Sequence, residues 1–171
     1  MAFAAFLAFL WHDMSLRIYL TGNTAVEADG VVVIRERQLR GKQGRLAFAY
    51  LVCQRTRPVS REELAALLWP AEMPPAWQVG LSAILSKIQT LLASDPLKAA
   101  GVTLSKGFGQ YQMVLPVDTW IDLEASASAI DEAEGSLRAR EPGSILGPAT
   151  VAATIAGRPF LPGIEGEWVD S

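Results

Sequence analysis

Apolar and polar residues alternate over Leu16–Leu20 (Leu-Arg-Ile-Tyr-Leu), the two-residue period of a half-buried strand. Thr21-Gly22-Asn23 reads as a turn, and Thr24 to Ala28 as a short second strand. Asp29-Gly30 is a strong hairpin signal, and the β-branched run from Val31 to Arg35 completes a small antiparallel sheet. Near Lys42 the period changes to that of a helix, with Leu46, Ala49, Tyr50 and Cys53 on one face and a stop at Arg55-Thr56-Arg57-Pro58. Ser60-Arg-Glu-Glu63 reads as a capping box: the serine accepts from a first-turn amide while Glu63 reaches back. The helix it opens buries Leu64, Leu67 and Leu68 and ends at Trp69-Pro70. A third helix is predicted from about Ala76 to Ala93, with Leu81, Ile84, Leu85, Ile88, Leu91 and Leu92 in one stripe. After a linker at Ala99-Ala100-Gly101, Val102–Ser105 and Tyr111–Leu115 read as the two strands of a hairpin.

A small sheet, three helices and a hairpin, in that order, are the plan of an α+β winged helix. The second and third helices would form a helix-turn-helix, and the hairpin the wing. These boundaries give a winged-helix domain over 15–116. After Pro116, Asp118 is placed to cap a helix from Thr119 to about Arg140, with an apolar stripe of Trp120, Leu123, Ala127, Ile130, Ala133 and Leu137. Glu141-Pro142-Gly143 breaks it, and Pro148 starts a second helix to about Ala156. Small residues at the expected contact predict an α-helical, TPR-like hairpin. Pro159 to Gly166 reads as loop, and Glu167–Asp170 as the start of a helix.

Charge divides the chain at the same boundary. Met14 to Pro116 carries 12 Lys/Arg against 7 Asp/Glu, whereas Val117 to Ser171 carries 3 against 10. A basic front and an acidic back suit a nucleic-acid-binding half joined to a protein-contacting half, although the net charge is only −3. The first 14 residues form an apolar extension. Met1–Trp11 lacks the basic start of a signal peptide and is about half the length of a membrane span. Translation from Met14 is the expectation, with a segment that packs on the domain or a partner, and export, as alternatives. The expected compartment is the cytoplasm, with no membrane partner.

Catalytic constellations are not evident. One cysteine (Cys53) and one histidine (His12), far apart, supply neither a disulfide nor a zinc site nor a Cys–His dyad, so no metal, no cofactor and no enzymatic activity are expected. Cys53 is read as a buried thiol on an apolar helix. Gly107-Phe-Gly109 lacks the strand-to-helix setting and the Gly-Lys-Ser/Thr ending of a phosphate loop. The acidic pairs Asp131-Glu132 and Glu165/Glu167 read as solvated surface.

The candidate chemistry is DNA contact. On the third helix Ser82, Ser86, Lys87 and Gln89 lie opposite the apolar stripe, and small polar side chains there can enter a major groove. Arg45, Ser60 and Arg61 stand at helix starts, where free amides and positive charge meet phosphates. Lys106 would carry the wing to the backbone or minor groove. Each of these positions is also compatible with an ordinary solvated surface.

Several segments resemble the antibiotic-regulatory-protein (SARP-type) transcriptional activators. They are Leu16-Arg-Ile-Tyr-Leu-Thr-Gly, Gln43-Gly-Arg-Leu-Ala-Phe-Ala-Tyr-Leu and Arg57-Pro-Val-Ser-Arg-Glu-Glu-Leu-Ala-Ala-Leu-Leu-Trp69. Ser82-Ala-Ile-Leu-Ser-Lys-Ile-Gln-Thr-Leu-Leu92 is similar to that family's recognition helix, and Gly107-Phe-Gly-Gln-Tyr111 to its wing tip. Asp118-Thr-Trp-Ile-Asp-Leu and Arg158-Pro-Phe-Leu-Pro-Gly-Ile-Glu-Gly-Glu-Trp-Val-Asp170 resemble the opening of its bacterial transcriptional activation domain. The resemblance implies an OmpR-like winged helix on promoter DNA, as a homodimer or a tandem pair on direct repeats, that helps recruit RNA polymerase. It also implies that 117–171 is a truncated activation domain. The family's recognition helix usually carries several arginines. Here Lys87 is the single cation of that run, which predicts weaker DNA binding. The alternative is a protein-interaction module: a degenerate winged helix with a helical hairpin and little DNA binding.

Overall fold

The structure, a computed structural model, describes residues 15–170. The apolar segment 1–14, including His12 and Met14, and Ser171 lie outside the described residues. The predicted opening sheet forms from β1 (Leu16–Tyr19), β2 (Ala25–Ala28) and β3 (Val31–Arg35). Asp29 and Gly30 turn β2 into β3 with φ of +50° and +76°, a two-residue turn with both central residues left-handed. Alternation places Leu16, Ile18, Val26, Ala28 and Ile34 in the core.

A fourth strand joins this sheet from far along the chain. β7 (Trp120–Ile121) pairs parallel to β1, giving the order β3-β2-β1-β7. The helix expected from Thr119 therefore begins later, at Asp122, because Trp120 and Ile121 are spent on strand pairing. Arg17 sits over the Trp120 ring at 5.8 Å, and Tyr19 meets the same ring at 5.3 Å between centroids.

A single turn of 3-10 helix (Glu36–Gln38) leads into α1 (Gly41–Cys53). Every residue of α1 from Gly44 to Val52 is buried, so this helix has no solvent face and forms the centre of the molecule. A two-residue strand, β4 (Val59–Ser60), then precedes α2 (Arg61–Leu68) and α3 (Trp77–Leu92). Leu81, Ile84, Leu85, Ile88 and Leu92 form the buried stripe of α3, as the period predicts. At the turn between the helices the Trp69 ring lies against Gly80, where an added Cβ would stand 3.5 Å from it.

Just before the linker at Ala99-Ala100-Gly101 stands a short helix that was not predicted, α4 (Asp95–Ala99), with Pro96 in its first turn and Leu97 fully buried. The hairpin follows as β5 (Thr103–Gly107) and β6 (Gln110–Val114). β4 pairs with β6 through Val59–Tyr111 and Ser60–Gln110, making a second sheet of order β4-β6-β5.

α5 (Asp122–Ala139) and α6 (Leu146–Ala156) form the expected helical hairpin, with α6 starting two residues before Pro148. The inward face of α5 differs from the predicted stripe. Asp122 and Ala129 are buried, with Ala125, Ser126, Ala133 and Ser136 half-buried, while Ile130 and Leu137 are exposed. Small side chains let α6 approach closely, so shape rather than hydrophobicity selects the face.

Residues 157–166 lack helix or an extended strand but are not a surface loop. Gly22 N donates to Pro159 O (2.8 Å), and Leu161 N donates to Leu20 O (3.3 Å). Leu161 is fully buried and Ile164 joins the same core. The last helical turn, α7 (Glu167–Asp170), brings Trp168 edge-on to Tyr50 (4.9 Å) and to Phe160 (5.5 Å). The acidic end of the chain is thereby strapped onto β1 and α1.

Candidate nucleic-acid interface

The exposed side of α3 carries Gln78, Val79, Ser82, Ser86, Lys87 and Thr90, with Gln89 half-buried. Burial of the leucine–isoleucine stripe fixes this orientation, since the remaining positions must face water. The helix contains no Asp or Glu, so Lys87 leaves it net positive. Lys87 makes no ion pair among the described residues.

Three of the other predicted positions converge at one end of this face. Ser60 caps α2 by accepting from Glu63 N at 3.0 Å. Arg61 Nη2 crosses to α3, donating to Gln78 O (3.2 Å) and Ser82 Oγ (3.0 Å), while Arg61 N donates to Gly109 O (3.2 Å). The start of α2, the start of α3 and the hairpin turn are therefore tied together through one residue. Lys106 is exposed on the neighbouring strand, with Nζ 5.9 Å from the centre of the Tyr111 ring.

Arg45 does not join them. It is buried, pairs with Glu36 at 3.1 Å and donates to Pro162 O at 3.2 Å. The expected phosphate contact is corrected to a structural tie between the start of α1 and the C-terminal strap. The Glu63 carboxylate faces the Ser60 backbone, as the capping box expects, but its stronger partners lie elsewhere. It accepts from Tyr50 Oη (2.6 Å) and from both terminal nitrogens of Arg57 (2.5 and 3.0 Å).

The bidentate Arg57 bond, then the Tyr50 hydrogen bond, hold the Glu63 carboxyl down to about 2 against the pull of partial burial. Burial, then Glu63, push the Tyr50 phenol above its ordinary value. Because Glu63 is depressed in the fold, its stabilising contribution is present above about pH 4.5 and is lost as pH falls towards 2. Wild type and Glu63→Gln should therefore differ in melting temperature at pH 6, with the gap narrowing below pH 4.5 and closing as the pH falls through 2. A gap that persists unchanged to pH 2 would show that ionisation of Glu63 does not contribute.

Cys53 is half-buried rather than fully enclosed. Burial, reinforced by Glu124, pushes its thiol up to about 11, the opposite of what a nucleophile needs. Among the described residues no group of three or more His, Cys, Asp or Glu is arranged to hold a metal ion, and no helix is long and apolar enough to cross a membrane. A groove of about 720 Å³ lies between α1, α2 and the α7 segment, lined by Leu46, Leu67, Pro70 and Trp168.

Two features escaped the sequence. The first is Arg61 as a bridge between helices, where only its helix-start position was visible. The second is Phe108, which stands fully exposed at the hairpin tip. Its signal was the Gly-Phe-Gly pattern, read as a wing tip and weighed as a phosphate loop, with no role given to the ring itself.

No family model and no curated protein matches the chain. Among solved structures it is similar to EmbR of Mycobacterium tuberculosis, determined in complex with a low-affinity phosphopeptide. The likeness has a TM-score of 0.72 at 21% identity and covers 92% of this chain. It spans 40% of the EmbR chain, so this chain has the fold of part of that structure.

Proposed function

We propose that the chain is a DNA-binding transcriptional regulator whose residues 15–116 form a winged helix, with α3 in the major groove and the β5–β6 hairpin as the wing. The observation that carries this reading is the junction at Arg61. It joins an acid-free polar helix face to an exposed hairpin tip, with Lys87 and Lys106 free to meet phosphates. The fold shared with part of EmbR supports it. Residues 117–171 then supply a TPR-like helical hairpin of activation-domain type, directed at RNA polymerase. The regulator acts in the cytoplasm, as a dimer or a tandem pair on direct repeats, without catalysis or cofactor.

The test is enrichment of bound sequences from a pool of random duplexes by the full chain, followed by affinity measurements across salt. With Arg61, Lys87 and Lys106 as the phosphate-facing cations, log K should fall against log[salt] with a slope of about −3. Absence of enrichment and of any low-salt binding to duplex DNA would overturn the reading.

One observation favours a second reading, a protein-interaction module. Ile130, Leu137, Leu146 and Val151 are all exposed on α5 and α6, an apolar surface unusual for helices facing water. A protein partner bound through these residues, with no DNA affinity, is the outcome that reading expects.

A further inference from the structure

We infer that Phe108 is an apolar wedge that enters the minor groove of duplex DNA and opens a base step. The inference rests on the DNA-binding reading above and adds to it a deforming residue. Its ring is fully exposed, and nothing lies within 4 Å of a Cβ placed on either flanking glycine, so the tip stands clear of the protein. The backbone makes the choice of residue informative. Phe108 and Gly109 occupy a two-residue turn at φ +50° and +76°, the same angles as Asp29 and Gly30 in the first hairpin. Asp-Gly is the favoured pair for this turn, whereas a bulky aromatic in the left-handed region is strained. A phenylalanine there gains no burial in the monomer to offset that strain.

The surroundings point to DNA rather than to an apolar protein groove. Lys106 is exposed two residues before the ring, and the Gly109 carbonyl is held by the amide of Arg61, whose side chain reaches Ser82 of α3. With α3 in the major groove, the hairpin tip is carried to the adjacent minor groove on a support cross-linked to α3. Apolar side chains in that position unstack base steps and kink the duplex, most readily at flexible pyrimidine–purine steps.

The experiment uses the full chain and the duplex enriched from the random pool. The duplex carries 2-aminopurine at successive steps on the hairpin side and a fluorophore pair at its ends. Wild type should raise 2-aminopurine emission at one step and shorten the end-to-end distance. Phe108→Ala and Phe108→Gly should abolish both signals and weaken binding about tenfold, while Phe108→Leu retains most of each. Phe108→Gly also relieves the left-handed strain, so its melting temperature should not fall, which separates loss of the wedge from loss of fold. If both variants bind and bend the duplex as wild type does, the wedge is wrong and DNA binding stands. If wild type binds no duplex, both fail. If Phe108→Ala abolishes capture of a protein partner and leaves DNA unchanged, the ring belongs to a protein contact and the wedge is overturned.

Discussion

Asp122→Ala should lower folding stability by about 3 kcal/mol, a loss as large as that from truncating a core side chain. Asp122 is 1% exposed, and its carboxylate lies at the end of β1. Leu20 N donates to both oxygens at 3.0 Å, Thr21 N and Oγ1 donate to Oδ2 at 2.8 and 2.7 Å, and Leu123 N donates to Oδ1 at 2.9 Å. Removing the carboxylate strands donors that water cannot reach, in a place where the β1 ladder with β7 has just ended. The position in the first turn of α5 adds the favourable pole of the helix dipole. Asp122→Asn preserves the shape but turns an NH2 group towards amide donors, so it should lose about 2 kcal/mol rather than nothing. Urea unfolding of the three proteins decides the matter. If Asp122→Asn is as stable as wild type, the negative charge is irrelevant and the account fails. Hydrogen exchange at the Leu20 and Thr21 amides should quicken in both variants.

Asp122 also marks where the sequence stopped being legible. The early strands, the Ser60 cap and the α3 stripe could be read because each depends on neighbours within a few residues. Periodicity records such local constraints directly. β4 and β7 are two residues each and exist because of partners some 50 and 100 residues away, so no local pattern announces them. Asp122 looks like an ordinary acidic residue in a first helical turn, and its main partners are 101 and 102 residues distant. Arg45 fails in the same way: at a helix start it resembles a phosphate ligand, until Glu36 and Pro162 are seen to enclose it. The inward face of α5 departs from the predicted stripe because small residues along the helix compete with larger apolar ones for the contact with α6.

The candidate interface was more legible than the packing that supports it. Ser82, Ser86 and Lys87 are exposed where the helical period puts them, whereas Lys106 shares the face of buried Leu104 and is exposed because it lies towards the tip of the hairpin. The link that assembles them, Arg61 to Gln78, Ser82 and Gly109, is a tertiary arrangement and left no trace in spacing. The C-terminal strap likewise reads as loop by composition, although Leu161 at its centre is fully buried.

Lys87→Glu should reduce affinity for the enriched duplex about 100-fold at 0.1 M salt or below. One phosphate contact contributes roughly a factor of ten in that range through counterion release. Reversal removes that contact and sets a carboxylate against the backbone, so the change amounts to about two contacts. α3 has no second cation to compensate, and the polar serines beside Lys87 supply hydrogen bonds but no charge. The salt slope should become shallower, from about −3 to about −2 or less. Because Lys87 is exposed and forms no ion pair among the described residues, thermal unfolding should shift by no more than about 0.5 kcal/mol. Lost binding with an intact melting curve would locate DNA on α3. Unchanged DNA binding would place the nucleic acid elsewhere or leave only the non-specific attraction of the basic front half. If wild type and Lys87→Glu captured the same protein through Ile130, Leu137, Leu146 and Val151 while neither bound duplex, α3 would be a solvated surface and the helical hairpin the working face.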